Sequence, residues 1–146
     1  MKDMTENVEI FYVPNEIVPE VWGEVQELME KSIATSGGNF FPHDVLDHIM
    51  EGFYMLWIAK VDGEIVAGIT TRVIEYPNAR SLSMDWIGGS QMQKWLPMAH
   101  EIIVDHAKAN GCSQIEGYGR KAWGRWLAKY GWKPNYIAFK MELGNG

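Results

Sequence analysis

The sequence predicts one α/β domain, an α+β mixed sheet over residues 1–146, with helices on both faces of the sheet. Two short turns, Asp62-Gly63 and Pro77-Asn78, separate three consecutive strand-like segments, and such short connections allow only antiparallel neighbours. A long helical pattern then leads to another apolar segment, which predicts a parallel crossover. Together these observations predict the element order β-α-α-β-β-β-α-β-α-β.

The first third of the chain predicts one strand and two helices. Val8 to Val13 is a short apolar strand. Residues 18–33 predict an amphipathic helix, because apolar side chains recur there every three or four positions. After the flexible break Ser36-Gly37-Gly38-Asn39, Pro42 opens a second helix, which Gly52 ends.

The middle of the chain predicts a three-stranded antiparallel meander. Its strands are Phe53 to Val61, Glu64 to Tyr76 and Arg80 to Ile87. Asp62-Gly63 between the first two is the strongest hairpin signal in the chain.

The last third predicts a helix that reaches Asn110, in which Pro97 either starts the regular part or causes a kink. A strand from Cys112 to Tyr118, a helix from Lys121 to Tyr130 and a closing strand from Tyr136 to Leu143 follow. The predicted core includes Trp22, Leu56, Ile69, Leu96, Ile103 and Leu127.

Composition excludes several classes of protein. The net charge of −6 argues against a general nucleic-acid binder. No apolar run approaches the ~20 residues of a membrane span, and the N-terminus lacks the apolar core of a secretory signal. Cys112, the single cysteine, permits no internal disulfide, which fits a cytoplasmic location. The four His lack the helical spacing that chelates zinc, so we expect no metal site.

The charge is unevenly distributed along the chain. Residues 1–90 carry a net charge of −10, and residues 91–146 carry +4. These parts either face two different ligands or are solvated helix faces.

Two segments resemble the acyl-CoA N-acetyltransferase (GNAT) superfamily. Ile58 to Thr71, with Asp62-Gly63 between two strands, is similar to one family pattern, and Ala122 to Trp132 is similar to the family's last helix. The resemblance covers essentially the whole chain and implies a domain that transfers acetyl from acetyl-CoA to an amine. The acidic first part, including the Ala34 to Phe41 loop where family members bind acceptors, would suit a cationic small-molecule or peptide amine.

The resemblance also implies where acetyl-CoA binds. In the family, backbone N–H groups of the loop that opens the long helix hold the pyrophosphate, as helix N-termini do for anions generally. The family's Q/R-x-x-G-x-G/A pattern is absent here; Gly88-Gly89-Ser90 stands in its place. The expected cofactor-binding residues are Trp86, Ile87, Gly88, Gly89, Ser90, Gln91, Arg120 and Arg125. The basic cluster around Arg125 is either a phosphate clamp or a solvated helix face.

Two catalytic residues are expected from this resemblance. Asp85, late in the third meander strand, is the candidate general base, on the face opposite Met84 and Trp86. Glu75 is the next candidate base.

The position of the family's acid Tyr is occupied by Leu127. Tyr118 and Tyr130 are nearby phenols outside that register; Tyr130 is expected in the core, and Tyr118 is taken as the candidate acid.

Two functions therefore remain open. One is an N-acetyltransferase. The other is a non-catalytic protein of the same fold that acts by binding in a virion, in assembly or on a host, because the overall pattern also resembles small GNAT-like proteins of bacteriophages. The first predicts a cytoplasmic protein, and the second a host cytoplasm or virion location.

Overall fold

The computed structural model describes residues 7–119 and 123–144. Within them lie five strands and four helices: β1 Val8–Val13, α1 Val18–Ala34, α2 Pro42–Met50, β2 Met55–Val61, β3 Glu64–Tyr76, β4 Ala79–Gly89, α3 Met92–Ala109, β5 Gln114–Gly117 and α4 Trp123–Ala128. The predicted order is confirmed from β1 to α4.

The strands form one mixed sheet in the order β1-β2-β3-β4-β5. The first four are antiparallel neighbours, and β4 pairs with β5 in parallel, as the crossover predicted. Asp62 and Gly63 both have positive φ, at 50° and 84°, which is the requirement of the tight hairpin turn that joins β2 to β3.

Helices cover both faces of the sheet, and each face has its own core. One core joins α1 and α2 to residues such as Leu56 and Ile58 of β2. The other joins α3 to Ile69, Leu82 and Met84. The predicted α/β class, with helices on both faces, is confirmed.

Helix α1 lies unusually close to the sheet because two glycines face it. Gly68 and Gly88 are paired across β3 and β4. A Cβ on Gly88 would come within 2.6 Å of the Leu28 backbone oxygen, and one on Gly68 within 2.8 Å of the Met29 sulfur. Only glycine therefore fits this helix–sheet contact without displacement.

Helix α3 continues through Pro97, which lies inside it rather than at its start. Helix α4 is short; its Trp126 and the following Tyr130 and Trp132 pack against the α3 core. Leu127 is only partly buried, so its assignment to the core was wrong, whereas the other five predicted core residues are buried. Helix α4 has only six residues and none of its side chains is fully buried, so it is too short to enclose Leu127.

The predicted closing strand from Tyr136 to Leu143 was wrong. None of these residues pairs with a strand, and Phe139 and Leu143 are 91% and 85% exposed. A strand needs a neighbouring strand whose backbone groups can hydrogen-bond to it. The edge strand β5 has only four residues, which is a short template for a further strand. The segment remains alternately apolar, and it is unpaired.

Two strand starts also differ from the prediction. The β2 strand begins at Met55 because the N–H groups of Phe53 and Tyr54 donate to the His48 carbonyl and close the end of α2. The β5 strand begins at Gln114, after Cys112 donates its N–H to the carbonyl of Ala107 at the end of α3.

Candidate functional site

Strands β4 and β5 part at a defined point. Their last paired residues are Met84 and Gly117, and β4 continues to Gly89. Asp85 and Tyr118, the two residues expected to be catalytic, come directly after this last pair. Because parallel strands end on the same side, the two lie on either side of the opening.

A bulge in the ladder brings Asp85 and Trp86 to the α1 side of the sheet. Thr71 pairs with Met84 and Thr70 pairs with Trp86, which leaves Asp85 as the extra residue. Trp86 therefore packs in the α1 core, while Met84 packs in the α3 core. The expectation that these two share a face was wrong, because regular alternation does not hold across a bulge.

Asp85 is buried and ion-paired. Its side chain is 8% exposed, and one carboxylate oxygen accepts a hydrogen bond from Arg72 Nε at 2.5 Å. The other oxygen accepts from the Ser83 hydroxyl at 2.7 Å. Burial alone would lower the pKa of the Arg72 guanidinium, but its bond to Asp85 outweighs this and raises that pKa.

A second carboxylate, Glu116 on β5, was not singled out in the sequence. It accepts hydrogen bonds from Tyr76 Oη at 2.9 Å and from Ser81 Oγ at 2.6 Å, and a long one from Tyr118 Oη at 3.5 Å. The Tyr136 hydroxyl extends this chain by donating to Tyr118. We call Glu116, Tyr76, Ser81 and Tyr118 the Glu116 network.

The Tyr118 hydroxyl is held in its protonated form. Its hydrogen bond with Tyr136, partial burial and the nearby Glu116 charge raise the pKa of Tyr118 above its usual range. Its side chain is 55% exposed, so the proton remains accessible from solvent. This exposed phenol can reach a group in the opening, and its raised pKa makes it a weaker proton donor than an ordinary tyrosine.

Aromatic side chains line the α1 side near the opening. Trp86 donates from Nε1 to the Tyr54 hydroxyl at 3.2 Å, and its ring meets Phe40 edge-on at 5.2 Å. Burial raises the pKa of Tyr54. The Arg72 guanidinium lies 5.2 Å from the ring of Phe53, beside a shallow depression of about 360 Å³. Trp86 thus belongs to this apolar wall.

The expected phosphate loop is used partly for packing. Gly88 lies against α1, and a Cβ on Gly89 would come within 2.2 Å of the Val66 carbonyl oxygen. Ser90 donates its N–H to Val66 and accepts from Trp95 Nε1 at 2.7 Å. Gln91 has a φ of 56° and precedes α3. The sheet and helix packing account for both glycines without a ligand.

The start of α3 has backbone N–H groups that could bind a ligand. The first turn of an α-helix leaves N–H groups without helical partners, and no acidic residue stands in this turn. Gln93 there is exposed. The Ile87 side chain packs against the α3 core. Successive N–H groups of a strand point to opposite edges; the Ser90 N–H points toward β3, so the Ile87 N–H, three residues earlier, points away from β3 and toward the opening.

The basic cluster is only partly described. Arg125 in α4 and Lys129 just after it are exposed, and the Lys129 ammonium lies 5.4 Å from the Tyr130 ring. Arg120 lies outside the described residues. The choice between a phosphate clamp and a solvated face therefore stays open.

In residues 7–119 and 123–144, no three His, Cys, Asp or Glu side chains come together as metal ligands would. Every helix of this part is too short or too polar to span a lipid bilayer.

Comparison with known proteins finds no matching family model and no matching curated protein. Solved structures do match over nearly the whole chain. An aminoglycoside N-acetyltransferase in complex with CoA has a TM-score of 0.70 at 10% identity, with 98% of this chain and 99% of that chain covered. A ribosomal-protein-alanine N-acetyltransferase from Brucella melitensis has a TM-score of 0.67 at 14% identity, with 94% and 100% covered.

A predicted acetyltransferase from Clostridium acetobutylicum, with acetyl-CoA, has a TM-score of 0.64 at 13% identity, with 94% of this chain and 97% of that chain covered. Identities this low establish likeness of fold alone. The predicted GNAT fold is confirmed.

Proposed function

We propose that this protein is an N-acetyltransferase that transfers acetyl from acetyl-CoA to an amine. The observation that carries the proposal is the opening between β4 and β5, flanked by Asp85 and Tyr118. It occurs in a fold shared with acetyltransferases whose structures contain CoA or acetyl-CoA. The single cysteine supports a cytoplasmic location as part of the proposal.

The start of α3 is the proposed site for the phosphates of acetyl-CoA. The N–H groups of Met92 and Gln93 have no partner in the helical hydrogen-bond pattern, and the positive dipole end of the helix suits an anion. The first turn holds no opposing acidic side chain. The backbone of Ile87 to Gln91 would flank the same ligand. Arg125 and Arg120 are proposed as further phosphate partners.

The reaction needs one nucleophile and three proton transfers. The ammonium loses a proton, and the nitrogen of the resulting neutral amine attacks the thioester carbonyl carbon. The C–N bond forms, the C–S bond breaks, the nitrogen loses its second proton to leave the amide, and CoA leaves as a thiolate that takes up a proton. Tyr118 is the proposed donor of that proton, because its exposed hydroxyl lies at the opening. Its raised pKa makes it a weaker acid than an ordinary tyrosine, so its contribution to the rate should be small. Asp85 is the proposed base, although its ion pair with Arg72 must loosen before it can act.

Calorimetric titration with acetyl-CoA tests the proposal at the step of binding. We expect binding to the wild-type protein and at least tenfold weaker binding to Gln93→Glu, which is about 1.4 kcal/mol. The added carboxylate would repel the phosphates, whereas at a helix N-terminus it favours the fold. Thiol release in the presence of polyamines, amino acids and peptide amines then tests transfer.

The matched control is Gln26→Glu, which makes the same charge change within α1. It should bind acetyl-CoA as the wild type does. Absence of binding at millimolar acetyl-CoA would overturn the transferase proposal, and equal binding by Gln93→Glu would move the phosphate site elsewhere.

A second candidate is a non-catalytic protein of this fold that acts by binding. Specific observations favour it: packing accounts for Gly88 and Gly89, and the segment after α4 exposes Phe139 and Leu143. A phage origin, with a virion, assembly or host role, stays a prediction within this alternative. Failure of acetyl-CoA binding in the titration would favour it.

A further inference from the structure

The Glu116 network has an unusual charge balance. In residues 7–119 and 123–144, no Lys, Arg or His lies within ion-pair distance of Glu116. Asp85, by contrast, is neutralised by Arg72. Of the two carboxylates near the opening, Glu116 is therefore the one whose charge remains uncompensated in the described part of the chain.

Glu116 also has acceptor capacity to spare. An ionised carboxylate offers about four lone-pair sites. Tyr76, Ser81 and Tyr118 each supply one hydroxyl hydrogen. Hydroxyl donors hold the side chain in place, but they leave its negative charge intact and one site unfilled, which suits an additional charged donor.

Exposed tyrosine rings surround this carboxylate. Tyr76, Tyr118 and Tyr136 are 41%, 55% and 66% exposed. Aromatic faces attract cations and also pack against apolar groups. A carboxylate bordered by such rings recognises a positive head group on an apolar body.

We propose that the Glu116 network is a binding subsite for a primary ammonium carried on an apolar or aromatic body, with Glu116 as its counter-ion. The proposal rests on the proposed function in so far as this amine is the acetyl acceptor. The strand register places the network beside the opening: Glu116 pairs with Ser83, and Tyr118 of the network directly follows the last β4–β5 pair. Glu116, rather than Asp85, then meets the amine before transfer.

Amine binding without acetyl-CoA tests this proposal independently of transfer. The probes are 2-phenylethylamine, which is cationic at neutral pH, and 2-phenylethanol, which has the same ring and no charge. Amide chemical shifts of Gly117 and Tyr118 report binding. We expect the amine to bind the wild-type protein at least tenfold more tightly than the alcohol.

The Glu116→Gln variant should reduce amine affinity to that of the alcohol, because it removes the charge while keeping the hydrogen-bonding shape. Glu75→Gln, a matched change at an exposed residue of β3 that is paired with Arg80, should bind the amine as the wild type does. Equal wild-type affinity for amine and alcohol, or unchanged amine affinity in Glu116→Gln, would overturn the subsite. The comparison of amine and alcohol binding to the wild-type protein tests the subsite even if a variant folds poorly. Amine binding without acetyl-CoA binding would overturn the transferase proposal and leave the subsite standing.

Discussion

At the scale of single residues, glycines decide how closely α1 approaches the sheet. We expect Gly88→Ala to cost about 1–3 kcal/mol, because the new Cβ would meet the backbone of Leu28, which cannot rotate away. Gly23→Ala, within α1, is the control: nothing lies within 4 Å of the added Cβ, so this variant should be about 0.5–1 kcal/mol more stable from helix propensity. Urea unfolding of both variants measures the difference. If Gly88→Ala is as stable as the wild type, then α1 can move away from β4 at little cost.

Residue roles were only partly predictable from the sequence. Asp85 and Tyr118 could be placed near the opening because strand order and connection lengths determine where β4 and β5 part. Glu116 was missed, since hydrogen bonds from Tyr76 and Ser81 depend on a register that no local pattern encodes. Alternation alone does place it on the same face as Tyr118, and that is the signal that was available.

At the scale of elements, α3 and the segment after α4 are joined by a pH-sensitive contact. His100 stacks on Tyr130 at 4.2 Å between ring centroids, and its Nε2 accepts from Trp132 Nε1 at 2.9 Å. This bond requires an unprotonated Nε2. Burial lowers the pKa of His100 below its ordinary value of 6.5.

The pH dependence of stability follows from that direction. Below pH 6.5 the unfolded chain binds more protons at this position than the folded chain, so the free energy of unfolding falls as the pH falls toward the folded pKa. Burial lowers the pKa of His106 too, so His106 adds to the same trend. We expect urea unfolding to show a smaller loss between pH 7.5 and 5.5 in His100→Gln, whose amide oxygen accepts from Trp132 without titrating. An unchanged slope in His100→Gln would contradict this assignment.

Elements differ in how well local signals specify them. The β2–β3 hairpin was predictable because Asp62 and Gly63 occupy positions that require positive φ. The bulge at Asp85 was not, because it arises where β3 and β4 meet rather than within either strand. The segment from Tyr136 to Leu143 has the alternation of a strand, yet alternation specifies a face and not a partner.

At the scale of the whole molecule, exposed carboxylates and exposed cations are concentrated on different elements. Helix α1 carries several exposed carboxylates, whereas the exposed cations Arg125 and Lys129 follow β5. A cationic acceptor on the α1 side and an anionic co-substrate at the start of α3 would each meet a favourable field. This arrangement agrees with the two sites proposed, because Asp85 and Glu116 lie on the α1 side of the sheet, whereas Gln91 precedes α3 and Met92 and Gln93 begin it.

The segment after α4 gives the strongest test of how the whole chain is assembled. Phe139 is 91% exposed and Leu56 is fully buried, so Leu56 should contribute far more than Phe139 to the free energy of unfolding. We expect Phe139→Ala to change the free energy of unfolding by less than about 0.5 kcal/mol, as exposed substitutions do. Leu56→Ala, the buried reference, should cost about 2–5 kcal/mol. Urea unfolding of the two variants measures both values. A loss of several kcal/mol in Phe139→Ala would mean that this segment packs against the sheet in solution, with the unpaired edge of β5 as its nearest partner.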